Sequence, residues 1–426
     1  MKKIIYIMLI ILMLGLNIMA QDLYSNIKEW KLENGMDVIT YNKSTSNICA
    51  INIGFKLPIS VENEENVGLR NLLIKVMTRN TKRYNAFELS KAIEEIGASV
   101  SPVVSKDYIG ISSTSLCKYT PQLLDILKEI LYNPSFDGFE EEKNIAIQQA
   151  SMMKSIWNEV LDLWIYKSLE TQYRFETIGY PETINNINKS DIISLYDKYF
   201  SGNNLVVVLS GNLDVINNLN AELQKLNVNL GKKQTLLSPI EPPLTDKSYI
   251  EERKVDSSAF VIGIDAPNVG SDDYLRWRTF SIYLYNKVDD AIRQKGGLAY
   301  SATSFMLNML SNSYLLVRSD INDPSRMKEA ITLAEGYLTK NSIENISEKD
   351  FLLAKNMIVG SLSRANQTSG EIAADILTNY LYKLPLNYTN ILLERSKGIE
   401  KGDITSLAPI ISKQKKSIVQ IISTNR

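Results

Sequence analysis

The stretch Gly68 to Met77, Gly-Leu-Arg-Asn-Leu-Leu-Ile-Lys-Val-Met, carries the chain's most telling spacing of chemical side chains. Leu69, Leu72, Leu73, Val76 and Met77 recur at intervals of three and four, which places them on one face of a buried helix. Asn71, Ile74 and Lys75 fall on an adjoining stripe, because residues three and four apart are helix neighbours. One helical turn is the spacing at which two imidazoles hold a metal, but this stripe offers an amide and an ammonium. The chain contains no histidine. That removes Ser-His-Asp and Cys-His catalysis and every common His-based metal site. A second pair, Arg293 and Tyr300, lies in Ala-Ile-Arg-Gln-Lys-Gly-Gly-Leu-Ala-Tyr-Ser, residues 291–301. A guanidinium and a phenol are suitable donors to a carbonyl oxygen or an oxyanion. The plainer alternative pairs Arg293 with Asp289 or Asp290 on its own helix and leaves Tyr300 as an interfacial ring. No paired-carboxylate signature, Walker-type loop or Gly-x-Gly-x-x-Gly is present.

The elements that must position these residues follow from periodicity and turn residues. Ile27 to Thr40 reads as two short strands around Glu33-Asn34-Gly35, and Ile48 to Leu57 as a third strand. Ala86 to Ile96 reads as a helix closed by Gly97, followed by paired strands over 99–104 and 108–115. Helices are expected from Pro121 to Tyr132, from Asp137 onward and over Ile156 to Tyr173. Glu140 to Glu142, in the first turn of the second of these, suit the helix dipole. A helix over Lys189 to Phe200 and a strand over Leu205 to Ser210 complete the first half. Residues 232–248, with Pro239, Pro242 and Pro243, read as a linker. Beyond it the order repeats. A strand over Ala259 to Asp265 answers Ile48 to Leu57, and a helical region over Tyr274 to Ile292 answers Gly68 to Met77. Arg293 is expected to end that helix, Gly296-Gly297 to allow a left-handed turn and Leu298 to Phe305 to alternate as a strand. A strand over Ser313 to Asp320, helices over Ser325 to Tyr337 and Glu348 to Arg364, and a strand over Ser417 to Ser423 follow. The repeated order implies a duplicated α+β unit.

A length of 426 residues is ample for sizeable cores, and 44 % apolar with 22 % charged residues is ordinary for a globular protein. With a formal net charge of −1 and no basic stripe, a nucleic-acid role has no electrostatic support. Met1 to Ala20 reads as a secretory signal: Lys2 and Lys3, then an almost wholly apolar run, then a small residue before Gln21. An uncleaved anchor is the alternative, since the run is long for a signal core. No second spanning segment is visible, so no membrane association is expected after cleavage. Export places the chain in the periplasm, or outside the cell if there is no outer membrane. Cys49 and Cys117 are the only cysteines. Cys49 sits in an apolar run and reads as a small buried residue, while an oxidising compartment permits a disulfide; the sequence leaves both open.

Taken in order, these pieces resemble the M16 (pitrilysin/insulinase) metallopeptidase family over almost all of the mature chain. Gly68 to Met77 looks like its zinc helix, which carries His-x-x-Glu-His after a Gly-Leu pair. Leu32 to Gly35, Glu88 to Ala98, Thr177 to Tyr180 and Asn203 to Gly211 resemble further family segments, and 291–301 is similar to its Leu-Arg-Glu-x-x-Gly-Leu-Ala-Tyr-Ser. The resemblance implies an α+β fold of two homologous domains, each a mostly antiparallel sheet with helices on one face, arranged around a chamber. It implies a signal over 1–20, an N-terminal domain over 21–231, a linker over 232–248 and a C-terminal domain over 249–426. Against the family pattern Asn71 replaces the first His, Ile74 the Glu, Lys75 the second His, and Gln149, or alternatively Gln148, the later zinc-binding Glu. The expectation is therefore no catalytic residue, no metal and no cofactor in this chain, with a polar cluster left at Asn71, Lys75 and Gln149. Arg293 and Tyr300 match the family's substrate-side pair. The resemblance implies a subunit that binds and positions peptide for a zinc-bearing M16 partner, with a homodimer as another possible assembly. A stand-alone peptide-binding or scaffold protein is the alternative.

Overall fold

The computed structural model describes residues 26–152 and 154–425, so the expected signal over Met1 to Ala20 lies outside the described residues. In the first half, β1 (Ile27–Lys31) and β2 (Asp37–Asn42) form a hairpin, and β3 (Ile48–Phe55) leads to helix α1 (Leu69–Met77). Helix α2 (Ala86–Glu95), strands β4 (Ser99–Val104) and β5 (Ile109–Leu116), and helices α3 (Thr120–Tyr132), α4 (Phe139–Ser151), α5 (Ile156–Ser168) and α6 (Lys189–Tyr199) follow, then β6 (Leu205–Gly211). Its six strands run in the order β1-β2-β6-β3-β5-β4, antiparallel except between β2 and β6. The central β3 is buried from Cys49 to Phe55, as suits a strand covered on both faces.

The second half holds β7 (Lys247–Arg253), β8 (Ser258–Ala266), α7 (Tyr274–Val288), β9 (Ala302–Asn308), β10 (Ser313–Ile321), α8 (Met327–Gly336), α9 (Glu348–Arg364), α10 (Ser369–Leu381) and β11 (Ser417–Ser423). Its sheet order is β7-β11-β8-β10-β9, with β7 and β11 parallel and the other pairs antiparallel. Strand for strand this repeats β2-β6-β3-β5-β4, so the duplicated order read from the sequence is also a duplicated topology. β7 begins at Lys247, pairing with Ser417, so the last two residues of the expected linker are strand. The rest of that segment is no free tether. Buried Glu241 accepts hydrogen bonds from the Thr171 backbone N–H (3.1 Å) and hydroxyl, and the Asn312 amide binds its carbonyl at 3.0 Å.

Each half packs its own helices on one face of its sheet. Leu72, Leu73 and Val76 of α1 meet Ile51, Ile53 and Ile111, and Phe280 and Leu284 of α7 meet Phe260, Ile262 and Val317. The opposite face of each sheet is covered from the other half. Val160 and Trp164 of α5 pack on Ala259, Val261, Leu316 and Val419, while Ile372, Ala373, Ile376 and Leu377 of α10 pack on Ile39, Ala50, Val206 and Val208. Burial contributes roughly 1.5–3 kcal/mol per large apolar side chain, so each sheet keeps its second face dry only with a borrowed helix. Gly263 makes the close approach of α5 possible, because a Cβ there would lie 2.0 Å from Trp164 Cζ2. Trp164 Nε1 donates to the Ser417 carbonyl at 3.0 Å. Asp107 adds a polar tie between the halves, accepting from Tyr173 Oη (2.5 Å), Leu310 N (3.0 Å) and Tyr382 Oη (3.2 Å). Cys49 and Cys117 are both buried and joined in a disulfide, which resolves the alternative left by the sequence.

Candidate functional site

Helix α1 is set by backbone contact at its start. Gly68 and Gly179 both have positive φ, +99° and +93°, and a Cβ on either would come within 2.9 Å of the other's Cα. Only glycine tolerates both the conformation and the approach. Thr183 Oγ1 donates to the Val67 carbonyl at 2.7 Å and holds the same contact. Arg70, two positions after Gly68, is fully buried; its backbone N–H donates to Glu62 at 2.8 Å and its guanidinium to the carbonyls of Leu57 and Ser105. The expected apolar face of α1 is buried throughout.

On the adjoining stripe the side chains go to three different places. Asn71 is buried and its Nδ2 donates to the Ile178 carbonyl at 3.0 Å, a contact delivered by the Gly68–Gly179 approach. Ile74 is buried in the core. Lys75 is half-buried and its Nζ donates to Gln149 Oε1 on α4 at 2.5 Å. Burial lowers the pKa of Lys75, opposed by the negative charge of Glu142. Glu142 is itself paired with Arg79 at 2.7 Å. The structure thus brings Lys75 and Gln149 together and turns Asn71 away. Gln148 is exposed on the same helix, and it is Gln149 that meets Lys75.

A zinc ion does not fit these residues. Asn71 and Gln149 offer only neutral amide oxygens, which are poor zinc ligands, and Lys75 puts a cation where a cation would sit. Ile74 has no group to take a proton from water. Among the described residues no group of three His, Cys, Asp or Glu side chains gathers in reach of one ion. What the site can do is hold an acceptor. Lys75 and Gln149 face a cavity of about 610 Å³ walled by Phe87, Ile93, Val100, Pro102 and Ile145. Glu142 and Arg79 also line it, and the sequence reading did not give them a place there. The signal for Glu142 was present: seven residues before Gln149, it lies on the same helix face, rather than serving the helix dipole alone.

Arg293 lies in a π-helical turn, Asp289–Lys295, that extends α7, so the expected helix end comes later than Ile292. Its Nε and a terminal nitrogen donate to the two carboxylate oxygens of Asp289 at 2.8 and 3.3 Å. Gly297 has the expected left-handed φ of +58°. Tyr300 precedes β9 instead of standing within a strand, because regular pairing with β10 begins at Ala302. Its ring is 83 % exposed. Neither residue is among the walls of the Lys75 cavity. Between the halves lies another cavity, of about 670 Å³, lined by Glu159, Asp162 and Glu176 from one side and Glu251 and Arg253 from the other.

Comparison with known proteins gives a consistent picture. Residues 37–181 match the model of insulinase (peptidase family M16), and residues 186–358 match that of the peptidase M16 inactive domain. An uncharacterized zinc protease of Rickettsia felis is 22 % identical over 82 % of this chain and 86 % of its own length. A non-peptidase homolog, YmxG, of Helicobacter pylori is 24 % identical over 83 % of this chain and 84 % of its own. Mitochondrial-processing peptidase subunit beta of Mus musculus is 23 % identical over 42 % of this chain and 37 % of its own. A crystal structure of a peptidase M16 inactive domain from Pseudomonas fluorescens superposes with a TM-score of 0.83 at 16 % identity, covering 94 % of this chain and 99 % of that one.

Proposed function

The chain belongs to the insulinase (M16) peptidase family, and within it we propose a non-catalytic member that binds peptide and positions it for a zinc-bearing M16 partner. The observation that carries this reading is the state of helix α1. Asn71 presents a neutral amide held by the Ile178 carbonyl, Ile74 lies in the core and Lys75 is a cation bound to Gln149, which leaves no imidazole or carboxylate ligand and no base to activate water. The relatives' names divide between zinc protease and non-peptidase homolog, and the residue types at these positions favour the second for this chain. A relative named as a subunit of a processing peptidase supports assembly with another chain. Arg293 and Tyr300, both exposed, are the residues proposed to reach the peptide from the second half. Arg293 must then exchange Asp289 for a substrate oxygen, a modest cost for an exposed pair. Export is part of the proposal, and the Cys49–Cys117 disulfide supports an oxidising compartment.

A second reading, a stand-alone peptide-binding protein, draws on one feature. β4 is an edge strand beside the Lys75 cavity, and an extended peptide can add to such an edge. Affinity purification of the mature chain from its own cells separates the two. The expected result is recovery of a relative with intact His-x-x-Glu-His, together with zinc and a peptidase activity that falls when Arg293→Ala is introduced. A lone chain that retains peptides would favour the second reading. Equimolar zinc and cleavage by the isolated chain would overturn both.

A further inference from the structure

The cavity over Lys75 is walled by two kinds of side chain. Ile93, Val100, Pro102 and Ile145 form apolar sides, and Phe87, 77 % exposed, stands at its edge. Phe87 and the partly exposed Ile145 leave apolar surface open along the groove. The charged walls are Lys75, Arg79 and Glu142. Arg79 and Glu142 neutralise each other at 2.7 Å, whereas Lys75 has no carboxylate within ion-pair distance among the described residues. Its partner is the neutral amide of Gln149, an exposed side chain that can turn aside at little cost. The walls therefore carry a net charge of one positive, with Glu142, whose field also reaches Lys75, held by Arg79. About 610 Å³ is within the range of ligand sites, roughly 300–1,000 Å³.

Resting on the peptide-binding reading above, we infer that this groove takes a carboxylate-bearing peptide segment, its apolar side chains against Phe87 and Ile145 and its carboxylate paired with Lys75 Nζ. The position that a zinc helix gives to a metal ion here serves as an anion anchor. The charge excludes a lysine- or arginine-rich segment at this point, since a second cation beside a half-buried ammonium is repelled. A peptide's C-terminus and an internal Glu or Asp offer the same chemistry.

Three fluorescently labelled peptides of identical Ala, Val, Ser and Leu content test the inference by anisotropy. One ends in a free carboxylate, one in an amide, and one in an amide with a single internal Glu. At least one carboxylate form is expected to bind about tenfold more tightly than the plain amide, the scale of a charge-assisted pair. Which form gains identifies the source of the carboxylate. Lys75→Met should remove the difference and Lys75→Arg retain most of it. Gln149→Glu, on an exposed position that cannot disturb the core, should remove it too by placing an internal carboxylate on Lys75. If all three peptides bind equally and neither Lys75→Met nor Gln149→Glu changes their ranking, the anchor is wrong while peptide binding stands. If none of them binds, both the anchor and the peptide-binding reading fall.

Discussion

At Asn71 the difference between a metal ligand and a structural amide lies in the atom left over once the bond to Ile178 is made, a weakly basic amide oxygen instead of an imidazole nitrogen. Its Nδ2 donates to Ile178 O at 3.0 Å, and an imidazole at that position could donate one ring N–H to the same carbonyl and keep its other nitrogen for a metal. Lys75 and Gln149 already touch across α1 and α4, so a His and a Glu there would converge. The variant Asn71→His, Ile74→Glu, Lys75→His, Gln149→Glu is therefore expected to bind equimolar zinc, read by dialysis and elemental analysis. The same variant with Lys75 retained should bind none, because the ammonium occupies the site with charge of the metal's own sign. A folded fourfold variant that stays zinc-free would mean the α1–α4 geometry differs from that described. Asn71, Ile74 and Lys75 were legible in the sequence because a helix stripe is a local pattern and histidine is missing outright, whereas Gln149, with Gln148 as its alternative, came only from the family resemblance. The Asn71–Ile178 bond was not. It depends on two glycines that meet only in the fold, and no periodicity announces such a meeting. Likewise the alternative of Arg293 with Asp289 was readable from four-residue spacing, but the choice between it and a substrate contact was not.

Among the elements, α5 and α10 separate what local pattern can say from what it cannot. The helical region over Ile156 to Tyr173 was readable, although the helix ends at Ser168, yet nothing in it tells which sheet it covers. α10 was absent from the sequence reading, although Ile372, Ala373, Ile376 and Leu377 are helically spaced and Thr368 and Glu371 form a capping box at its start. Both helices bury their apolar faces on the other half, and that choice is made by the whole chain. The packing of α5 makes a firm prediction. Gly263→Ala places a methyl 2.0 Å from Trp164 Cζ2, so α5 must shift off β8 or the ring must leave its rotamer. The cost expected is about 1–3 kcal/mol in urea unfolding, typical of an overpacked core. In a Trp164→Phe background, where the smaller ring leaves room, the same change should cost less. Equal costs in both backgrounds would show that the two residues are not in contact, since only coupled sites depart from additivity.

For the whole molecule, the repeated order of elements was legible and the interlocking of the halves was not, because ties such as Asp107 to Tyr382 join residues far apart in sequence. Burial beside these ties has a consequence for pH. The chain has no histidine, so no imidazole shapes its stability near neutrality. Lys106, beside Asp107, is the group best placed to do so. Its Nζ donates to the carbonyls of Tyr173, at 2.9 Å, and Phe175. Burial lowers its pKa from 10.5 to about 8; the negative charges of Glu176, Asp162 and Glu62 resist that change and the nearby Arg70 assists it. Below pH 8 both folded and unfolded chains carry the charge, and the folded one bears the full cost of burying it. Between about 8 and 10.5 the unfolded chain holds the extra proton, so stability rises with pH. The whole change is about 3 kcal/mol, at roughly 1.4 kcal/mol per pKa unit. Its upper end is masked, because burial and the neighbouring Asp107 raise the Tyr173 and Tyr382 phenols, which costs stability once the unfolded chain's tyrosines ionise near pH 10. The window to measure is therefore pH 7.5 to 9.5. Urea unfolding across it should show the stability of the native chain rising relative to Lys106→Met, whatever the difference between the two at pH 7. Parallel curves would mean that Lys106 holds its proton as an exposed lysine does, and that its ammonium is open to water.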